Sequence, residues 1–419
     1  MDFLGNIPNK DSLMLLDVIY HRPNKDNDRV DCIDIIYKDL KTGEKHLKSI
    51  LNPEIEIYFL KNEYRNYTYN KTHMEISKCE KHTCQFKGLP WYIAKQAGEE
   101  YVNELKRLID TKQYRELSRI QSYPYVFGSD IPIDTWYRIM WHLNYENDLN
   151  KPITKTYLDI EVDIIDHIGV PTKGECPINA VSVVDDEGKT VYTFLLNNEN
   201  NPLIKEFVAD IDNFVVELHD MFDESYGYLD YKIYMYNDER DLIINVFRLI
   251  NTLKRDYCLV YNGFGFDLPY IIERLKVLNL DPTSVMCHPD FRYKEYNMHI
   301  DTKNYAVKNK SSSFKISGYT KFIDQMILYA ATRKGQMELR SNALNYIAEK
   351  ELKDTKLDYT DEANIKTLPY INYRKFVAYN IKDTLLQMGI ERKVNDIENL
   401  YIRFSANCTS PDNIFKETV

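Results

Sequence analysis

From Lys155 onward the chain alternates short apolar runs with longer stretches of helical periodicity, and this alternation constrains the fold more than any other feature. Short apolar-rich runs suit strands, whereas apolar residues that recur every third or fourth position suit helices packed on a sheet. The strand-like runs are TYLDIEVD, NAVSVVD, TVYTFLL, YKIYMY and DYCLVYN, and helical stretches follow the last two. Strands and helices in this order predict a layered α/β domain that begins at about residue 151.

Residues 1–150 lack this alternation and combine β-rich runs with helical stretches. The predicted strands are Asp31–Asp39 and Ile55–Leu60, and the predicted helices are Trp91–Lys95 and Glu99–Ile109. We therefore expect a separate N-terminal domain of the α+β class. The length of 419 residues agrees with this division, because it exceeds the usual size of one hydrophobic core.

Composition narrows the classes of protein that remain. No stretch approaches the roughly 20 apolar residues of a membrane span, so we expect no membrane association and a cytoplasmic location. Seven dispersed cysteines suit reduced thiols. Cys79, His82 and Cys84 superficially resemble a zinc cluster, but no second ligand pair follows at a usual spacing. The formal charge of −10 disfavours coating of nucleic acid by charge alone and is compatible with an acidic nuclease site.

The run YLDIEVD contains two carboxylates, Asp159 and Glu161, within an apolar strand. Residues two apart on a strand point to the same face, so the two acids lie side by side. Adjacent carboxylates repel each other unless a cation compensates them. The run therefore indicates either a cation site or, equally well by itself, an acidic pair on a solvent-exposed edge strand.

Two further acids follow in the same unit. Asp267 lies where an apolar strand meets a helix, five residues after Asn262, and a lone aspartate at such a junction often caps the helix. Tyr379 and Asp383 are four apart on a helix and hence neighbours on one face. Each spacing is common. Their joint order, D-x-E on a strand, then N-x-x-x-F-D, then Y-x-x-x-D on a helix, is the informative observation.

This order resembles the three exonuclease motifs of family B DNA polymerases, and Tyr379 places the resemblance in the DEDDy branch. The segments FGSDIPI and SNALNYIAEKEL also resemble matching family segments, and the closest likeness is to bacteriophage replicative enzymes. The resemblance implies an RNase H-like exonuclease domain over residues 151–400, with a mixed sheet flanked by helices, after a family-type N-terminal domain over residues 1–150. The runs MHIDTKNYAV and FKISGY flank the polar run KNKSSS, and this pattern predicts a β-hairpin at about 298–319 with a mobile, lysine-bearing tip. The resemblance also implies a link towards a palm domain over 401–419.

The resemblance assigns roles to individual residues. Asp159, Glu161, Asp267 and Asp383 would bind two divalent cations, Mg²⁺ or Mn²⁺, and Tyr379 would orient the attacking water. The implied reaction is proofreading, the 3′→5′ hydrolysis of terminal nucleotides from single-stranded or frayed DNA. Four further residues would contact the substrate, although each has a structural alternative. They are Asn262 (turn geometry), Phe266 (core packing), and Lys308 and Lys310 (a solvated hairpin tip).

The palm motifs D-x-x-S-L-Y-P and Y-x-D-T-D of complete family members do not occur in the sequence. We therefore expect either a fragment or a split polymerase whose palm, fingers and thumb form another chain. Expected partners are DNA, as a single-stranded 3′ end or primer-template, and that separate chain. A phage-encoded protein would act in the host cytoplasm. Two alternatives stay open: a non-catalytic module that docks DNA or a polymerase, and a DEDD exoribonuclease.

Overall fold

The computed structural model describes residues 12–22, 30–65, 75–145, 152–303, 306–335, 339–359 and 364–410. The chain divides into two compact units. The first comprises Met1–Asp148 with Cys408–Ser410, and the second comprises Leu149–Asn407 with Pro411–Val419. The predicted link over 401–419 lies partly outside the described residues, which end at 410.

The N-terminal unit combines two small antiparallel sheets with helices, which confirms the predicted α+β class. One sheet has the order β1-β2-β3 and the other the order β5-β4-β6. The strands are β1 (Leu13–His21), β2 (Cys32–Asp39), β3 (Lys45–Leu51), β4 (Glu54–Leu60), β5 (Cys79–Gln85) and β6 (Val126–Phe127). The helices are α1 (Leu89–Ala97), α2 (Glu99–Asp110), α3 (Ser118–Gln121) and α4 (Ile133–Asn144). One apolar core joins them, with Trp141 fully buried.

The second unit is built on a six-stranded mixed sheet in the order β10-β9-β8-β7-β11-β14. Its strands are β7 (Lys155–Val162), β8 (Ile178–Asp185), β9 (Thr190–Leu196), β10 (Asp230–Tyr236), β11 (Tyr257–Val260) and β14 (Lys321–Asp324). Strands β7, β8 and β9 are antiparallel neighbours, whereas β11 runs parallel to both β7 and β14. Helices flank this sheet, so the predicted layered α/β architecture is confirmed.

Burial explains why these runs form strands. All four residues of β11 are at most 2% exposed, as expected of a parallel strand covered on both faces. In β7, Tyr157, Leu158 and Ile160 are buried, whereas Asp159 and Glu161 are only half-buried. The apolar positions therefore anchor β7 in the sheet and leave its two acids at the edge of the core.

The helices of the second unit differ in how much of their circumference is buried. They are α5 (Pro202–Ala209), α6 (Ile211–Tyr226), α7 (Glu239–Leu253), α8 (Asp267–Val277), α9 (Pro282–Met286), α10 (Gln325–Thr332), α11 (Leu344–Leu352), α12 (Leu368–Ile371), α13 (Tyr373–Val394) and α14 (Asp396–Ala406). Helix α13 packs against β7 and β8 and is buried on nearly all sides between Phe376 and Met388. A helix enclosed in this way can carry polar side chains only where other groups satisfy them.

The predicted hairpin at 298–319 corresponds to a shorter antiparallel pair, β12 (Tyr296–His299) with β13 (Ser313–Ile316). Within the described part of the connection, Val307–Asn309 forms a 3-10 turn that packs against α10, with Val307 against the apolar core. Lys308 and Lys310 are half-buried there. Val307, the apolar residue directly before the polar run KNKSSS, thus anchors this turn to the domain.

Candidate active site

Three strands deliver polar residues to one edge of the sheet. In the parallel pairs, Val260 of β11 lies opposite Leu158 of β7 and opposite Asp324 of β14. Strands β11 and β14 therefore end side by side, whereas β7 continues beyond them to Val162. The carboxyl ends of parallel strands are where open α/β sheets usually bind ligands. Helix α13 crosses the same region against β7.

Asp159, Glu161 and Asp383 converge at this edge. One carboxylate oxygen from each residue lies within 4.8 Å of those from the other two, although more than two hundred residues separate the two segments in sequence. Asp159 and Glu161 are half-buried and Asp383 is buried. Asp159 and Glu161, two residues apart on β7, thus lie on the same face of the strand, and this face packs against α13.

Asp267 lies beside this group but outside the set of three. Its Oδ1 accepts a hydrogen bond of 3.4 Å from the backbone N–H of Ile160, the residue between Asp159 and Glu161. Helix α8 begins at Asp267, its N-cap is Phe266, and no side-chain hydrogen bond caps it. The side chain of Asp267 is therefore directed towards β7 rather than used as a helix cap.

The four acids destabilise one another's charge. Burial, followed by the charges of Asp267 and Asp383, raises the pKa of Asp159 well above its usual value. Burial and the charge of Asp383 raise the pKa of Glu161 to about 8, and burial raises that of Asp267 to about 7. Such shifts mark a site where negative charge is confined without enough compensation, a pattern common at functional sites.

Lys356 is the cation next to these acids, and the sequence analysis did not identify it. Its Nζ lies 2.5 Å from Asp383 Oδ2 and 3.0 Å from the hydroxyl of Tyr379. Burial lowers the pKa of Lys356, but the neighbouring Asp383, Tyr379 and Asp159 together outweigh it, so the pKa is raised overall. Lys356 follows α11 in irregular backbone, where a single lysine gives no local signal of its role.

Tyr379 lies one helical turn before Asp383 and is 7% exposed. Its ring packs edge-on against Tyr359, with ring centroids 5.2 Å apart. Burial and the neighbouring Asp383 raise the pKa of its hydroxyl, so this group stays protonated at neutral pH and remains a hydrogen-bond donor.

Asn380 and Ser182 form a second feature that the sequence analysis missed. The Asn380 amide donates to Asp159 Oδ2 at 2.9 Å, and the Ser182 hydroxyl donates to Asn380 Oδ1 at 2.5 Å. Ser182 lies directly opposite Asp159 in the β7–β8 pair. The position of Asn380 next to Tyr379 in the third motif is the one sequence signal that pointed towards it.

The turn between β11 and α8 has a defined geometry. Asn262 is exposed and adopts a left-handed conformation with φ of +56°, which asparagine tolerates better than most residues. A Cβ at Gly265 would lie 2.7 Å from Asn262 Oδ1, so a larger residue there would displace the Asn262 side chain. Phe266 is half-buried and stacks on Tyr270 at 5.3 Å between ring centroids.

Other acids near the motifs have structural partners. Asp324 caps α10 through the N–H groups of Met326 and Ile327 and also accepts from the N–H groups of Asn262 and Phe264, which ties that turn to β14. Asp185 forms an ion pair with Arg255 at 2.7 Å. Asp163 accepts a hydrogen bond of 2.5 Å from Tyr370.

The donor set fits a hard divalent cation. Asp383 Oδ1 is buried and has no hydrogen-bond partner within the part of the chain that the structure describes. A buried carboxylate oxygen without a partner is costly, and a bound cation would remove that cost. Ligands that are all carboxylate oxygens favour Mg²⁺ or Mn²⁺ over zinc, which prefers nitrogen and sulfur.

The fold and the site define an α/β protein with three clustered carboxylates, Asp159, Glu161 and Asp383, that could hold a cation. The family model for the exonuclease domain of DNA polymerase family B matches residues 121–347, more than half of the chain. The chain therefore belongs to this family, and its second unit has the RNase H-like exonuclease fold. Tyr379 and Asp383 lie beyond the matched residues.

The chain is also similar to curated polymerases. The DNA-directed DNA polymerase of Enterobacteria phage T4 is 28% identical over 242 residues, which is 56% of this chain and 25% of that protein. The corresponding enzyme of Escherichia phage RB69 is 24% identical over 238 residues, again 56% and 25%. DNA polymerase 1 of Sulfurisphaera ohwakuensis is 23% identical over 252 residues. The matched region thus spans about a quarter of the length of these relatives.

Among the described residues, no helix is both long enough and apolar enough to cross a bilayer.

Proposed function

We propose that this chain removes nucleotides one at a time from the 3′ end of single-stranded or frayed DNA, as the proofreading exonuclease portion of a family B DNA polymerase. The convergence of Asp159, Glu161 and Asp383 on one cation-sized space carries this proposal. The similarity to DNA-directed DNA polymerases supports DNA as the substrate. Polymerisation would belong to palm, fingers and thumb regions elsewhere in the protein or in a partner chain.

Asp159, Glu161, Asp267 and Asp383 would hold two divalent cations, Mg²⁺ or Mn²⁺. A bound pair of this kind supplies a nucleophilic water at neutral pH and relieves charge on the leaving 3′-oxygen. Tyr379 would orient the attacking water, since its hydroxyl is a retained donor one helical turn from Asp383. Lys356 compensates the negative charge around Asp383 in the protein without metal.

Four residues would position the substrate. The exposed amide of Asn262 can hydrogen-bond the frayed end, and Phe266 presents an aromatic ring near the same turn. Bases stack on such rings without regard to sequence, as a proofreading site requires. Lys308 and Lys310 would contact phosphates from the turn packed on α10.

The proposal is tested with a 5′-labelled single-stranded oligonucleotide and Mg²⁺. We expect a ladder of progressively shorter labelled products. EDTA should abolish this ladder, and so should the double substitution of Asp159→Ala and Glu161→Ala. The matched control is Glu54→Ala with Glu56→Ala, which removes two acids at the same spacing from β4 of the N-terminal unit.

Each alternative has its own outcome in this assay. Immediate release of labelled mononucleotide would indicate the opposite direction. Faster digestion of a matched RNA oligonucleotide would indicate an exoribonuclease, and DNA retention without cleavage would indicate a docking module. Digestion by the Asp159/Glu161 variant at the parental rate would overturn the site assignment.

A further inference from the structure

We infer that Asn380, oriented by Ser182, is a positioning residue that holds the Asp159 carboxylate in place for cation binding. This inference rests on the function proposed above. It extends that function to two residues that are neither the acids nor the tyrosine of the three motifs. The carrying observation is a hydrogen-bonded chain from Ser182 on β8 through Asn380 on α13 to Asp159 on β7. The two bonds measure 2.5 Å and 2.9 Å.

The direction of this chain follows from the groups involved. A carboxylate only accepts hydrogen bonds, so the Asn380 amide must present its NH₂ to Asp159 Oδ2. The carboxylate therefore selects the amide orientation, since the flipped form would place the amide oxygen against it. The Ser182 hydroxyl, which can donate or accept, donates to the amide oxygen and holds the side chain in that orientation with a second hydrogen bond.

Burial makes this arrangement rigid. Asn380 and Ser182 are both 0% exposed, so water does not replace either bond. The register of the sheet adds to this, because Ser182 lies opposite Asp159 in the β7–β8 pair. The carboxylate of Asp159 is consequently held from its own sheet and from α13, which also carries Asp383.

A neutral donor suits a metal ligand better than a charged one. Lysine or arginine at this place would compensate Asp159 and compete with a cation for it. The amide of Asn380 restricts rotation of the carboxylate while leaving its full negative charge available. Partners of this kind typically change metal affinity or activity by about 10- to 100-fold when they are mutated.

The test uses the full chain and Mn²⁺ as the probe, with binding followed by electron paramagnetic resonance. We expect Asn380→Leu, which is similar in volume but forms neither bond, to weaken Mn²⁺ binding by about 10- to 100-fold. Ser182→Ala should weaken binding in the same direction by a smaller factor. For the oligonucleotide, kcat should fall while KM stays unchanged, because neither residue is accessible to DNA.

Thr384→Val is the matched control. Thr384 is also fully buried on α13, and its hydroxyl donates to the backbone carbonyl of Asn380 rather than to an acid. It should bind Mn²⁺ like the parent.

The inference is overturned if a folded Asn380→Leu variant, checked by circular dichroism, binds Mn²⁺ with parental affinity. If that variant does not fold, parental binding by Ser182→Ala overturns it instead. Failure of the proposed function looks different: the parent protein itself would then neither bind Mn²⁺ nor digest DNA, and both ideas would fall together.

Discussion

Two groups of acids lie at opposite ends of strand β7, and they differ in how their charge is compensated. The site cluster comprises Asp159, Glu161, Asp267 and Asp383 near the end of the strand. The anchor cluster comprises Glu391 and Glu398, which pair with Lys155, the first residue of the strand, and Asp396 on the same helix as Glu398. Helix α13 contributes to both, through Asp383 and, two turns later, Glu391.

The anchor cluster is nearly balanced. Lys155 Nζ lies 2.6 Å from Glu398 and 3.5 Å from Glu391, and Arg333 pairs with Asp396 at 2.7 Å. The backbone N–H of Ile397 also donates to Glu391 at 3.0 Å. Two cations thus pair with three acids, and these ion pairs link β7, α13 and α14.

Among the described residues, Lys356 is the one cation that forms an ion pair with the four acids of the site cluster, because the nearby Lys382 pairs with Asp354 instead. Asp159 and Glu161 are half-buried, and so is Glu398 of the anchor cluster, so exposure does not separate the two clusters. Burial of acids alone does not identify a functional site either, because Glu391 of the anchor cluster is fully buried. The excess of acids over paired cations is the property that distinguishes the site cluster.

The largest expected effect separates the clusters by activity. Asp383→Asn removes a proposed metal ligand at constant shape and should slow Mg²⁺-dependent digestion by about 10³-fold or more, since metal ligation supplies several kcal/mol. Glu391→Gln makes the same chemical change eight residues along α13 and should leave the rate within about twofold. Single-turnover digestion rates of the two variants provide the measurement. Equal losses of rate in both variants would show that the two clusters do not differ in function.

Replacing the lysines tests which cluster accepts metal. Lys155→Met leaves Glu391 and Glu398 without their cation, and breaking such a buried pair should lower Tm by roughly 5–10 °C in EDTA and in Mg²⁺ alike. Lys356→Met should lower Tm in EDTA by a smaller amount that Mg²⁺ restores. Thermal melts in the two buffers provide the measurement. A loss at Lys356 that Mg²⁺ leaves unrepaired would argue against cation binding there.

Two buried tyrosines give a third contrast. Tyr379→Phe keeps the ring packed on Tyr359 but removes the proposed water-orienting hydroxyl, so digestion should slow by roughly 10- to 100-fold with little change in Tm. The hydroxyl of Tyr157 is buried and has no hydrogen-bond partner among the described residues. Tyr157→Phe should therefore leave the rate unchanged and Tm equal or slightly higher. A rate loss at Tyr157 matching that at Tyr379 would contradict the assignment.

The smallest effect concerns pH. Burial raises the pKa of Glu391 to about 8, above its value of 4.5 in the unfolded chain, although Lys155 opposes the shift. A raised pKa means that the folded protein binds the proton more tightly, so Glu391 contributes stability at low pH that is lost as pH rises towards 8. Glu391→Gln should therefore narrow the difference in Tm between pH 6 and pH 9. Parallel Tm profiles for parent and variant would show that Glu391 does not titrate in this range.

The local patterns predicted much of the fold. Strand β2, predicted as Asp31–Asp39, spans Cys32–Asp39, and helix α2, predicted as Glu99–Ile109, spans Glu99–Asp110. The prediction of the hairpin was less accurate, because its strands are short and Val307 packs the connecting turn against the core. Polarity along the run KNKSSS could not show that packing, which depends on α10.

Local patterns were enough to predict the α/β class and the spacing that places Asp159 with Glu161 and Tyr379 with Asp383, because strand and helix periods act over a few residues. Three contacts became visible only in the folded chain: Asp383 meets Asp159, Lys356 contacts both Asp383 and Tyr379, and Asn380 joins Ser182 to Asp159. These contacts connect residues far apart in the chain, so they depend on sheet order and helix packing rather than on any local pattern.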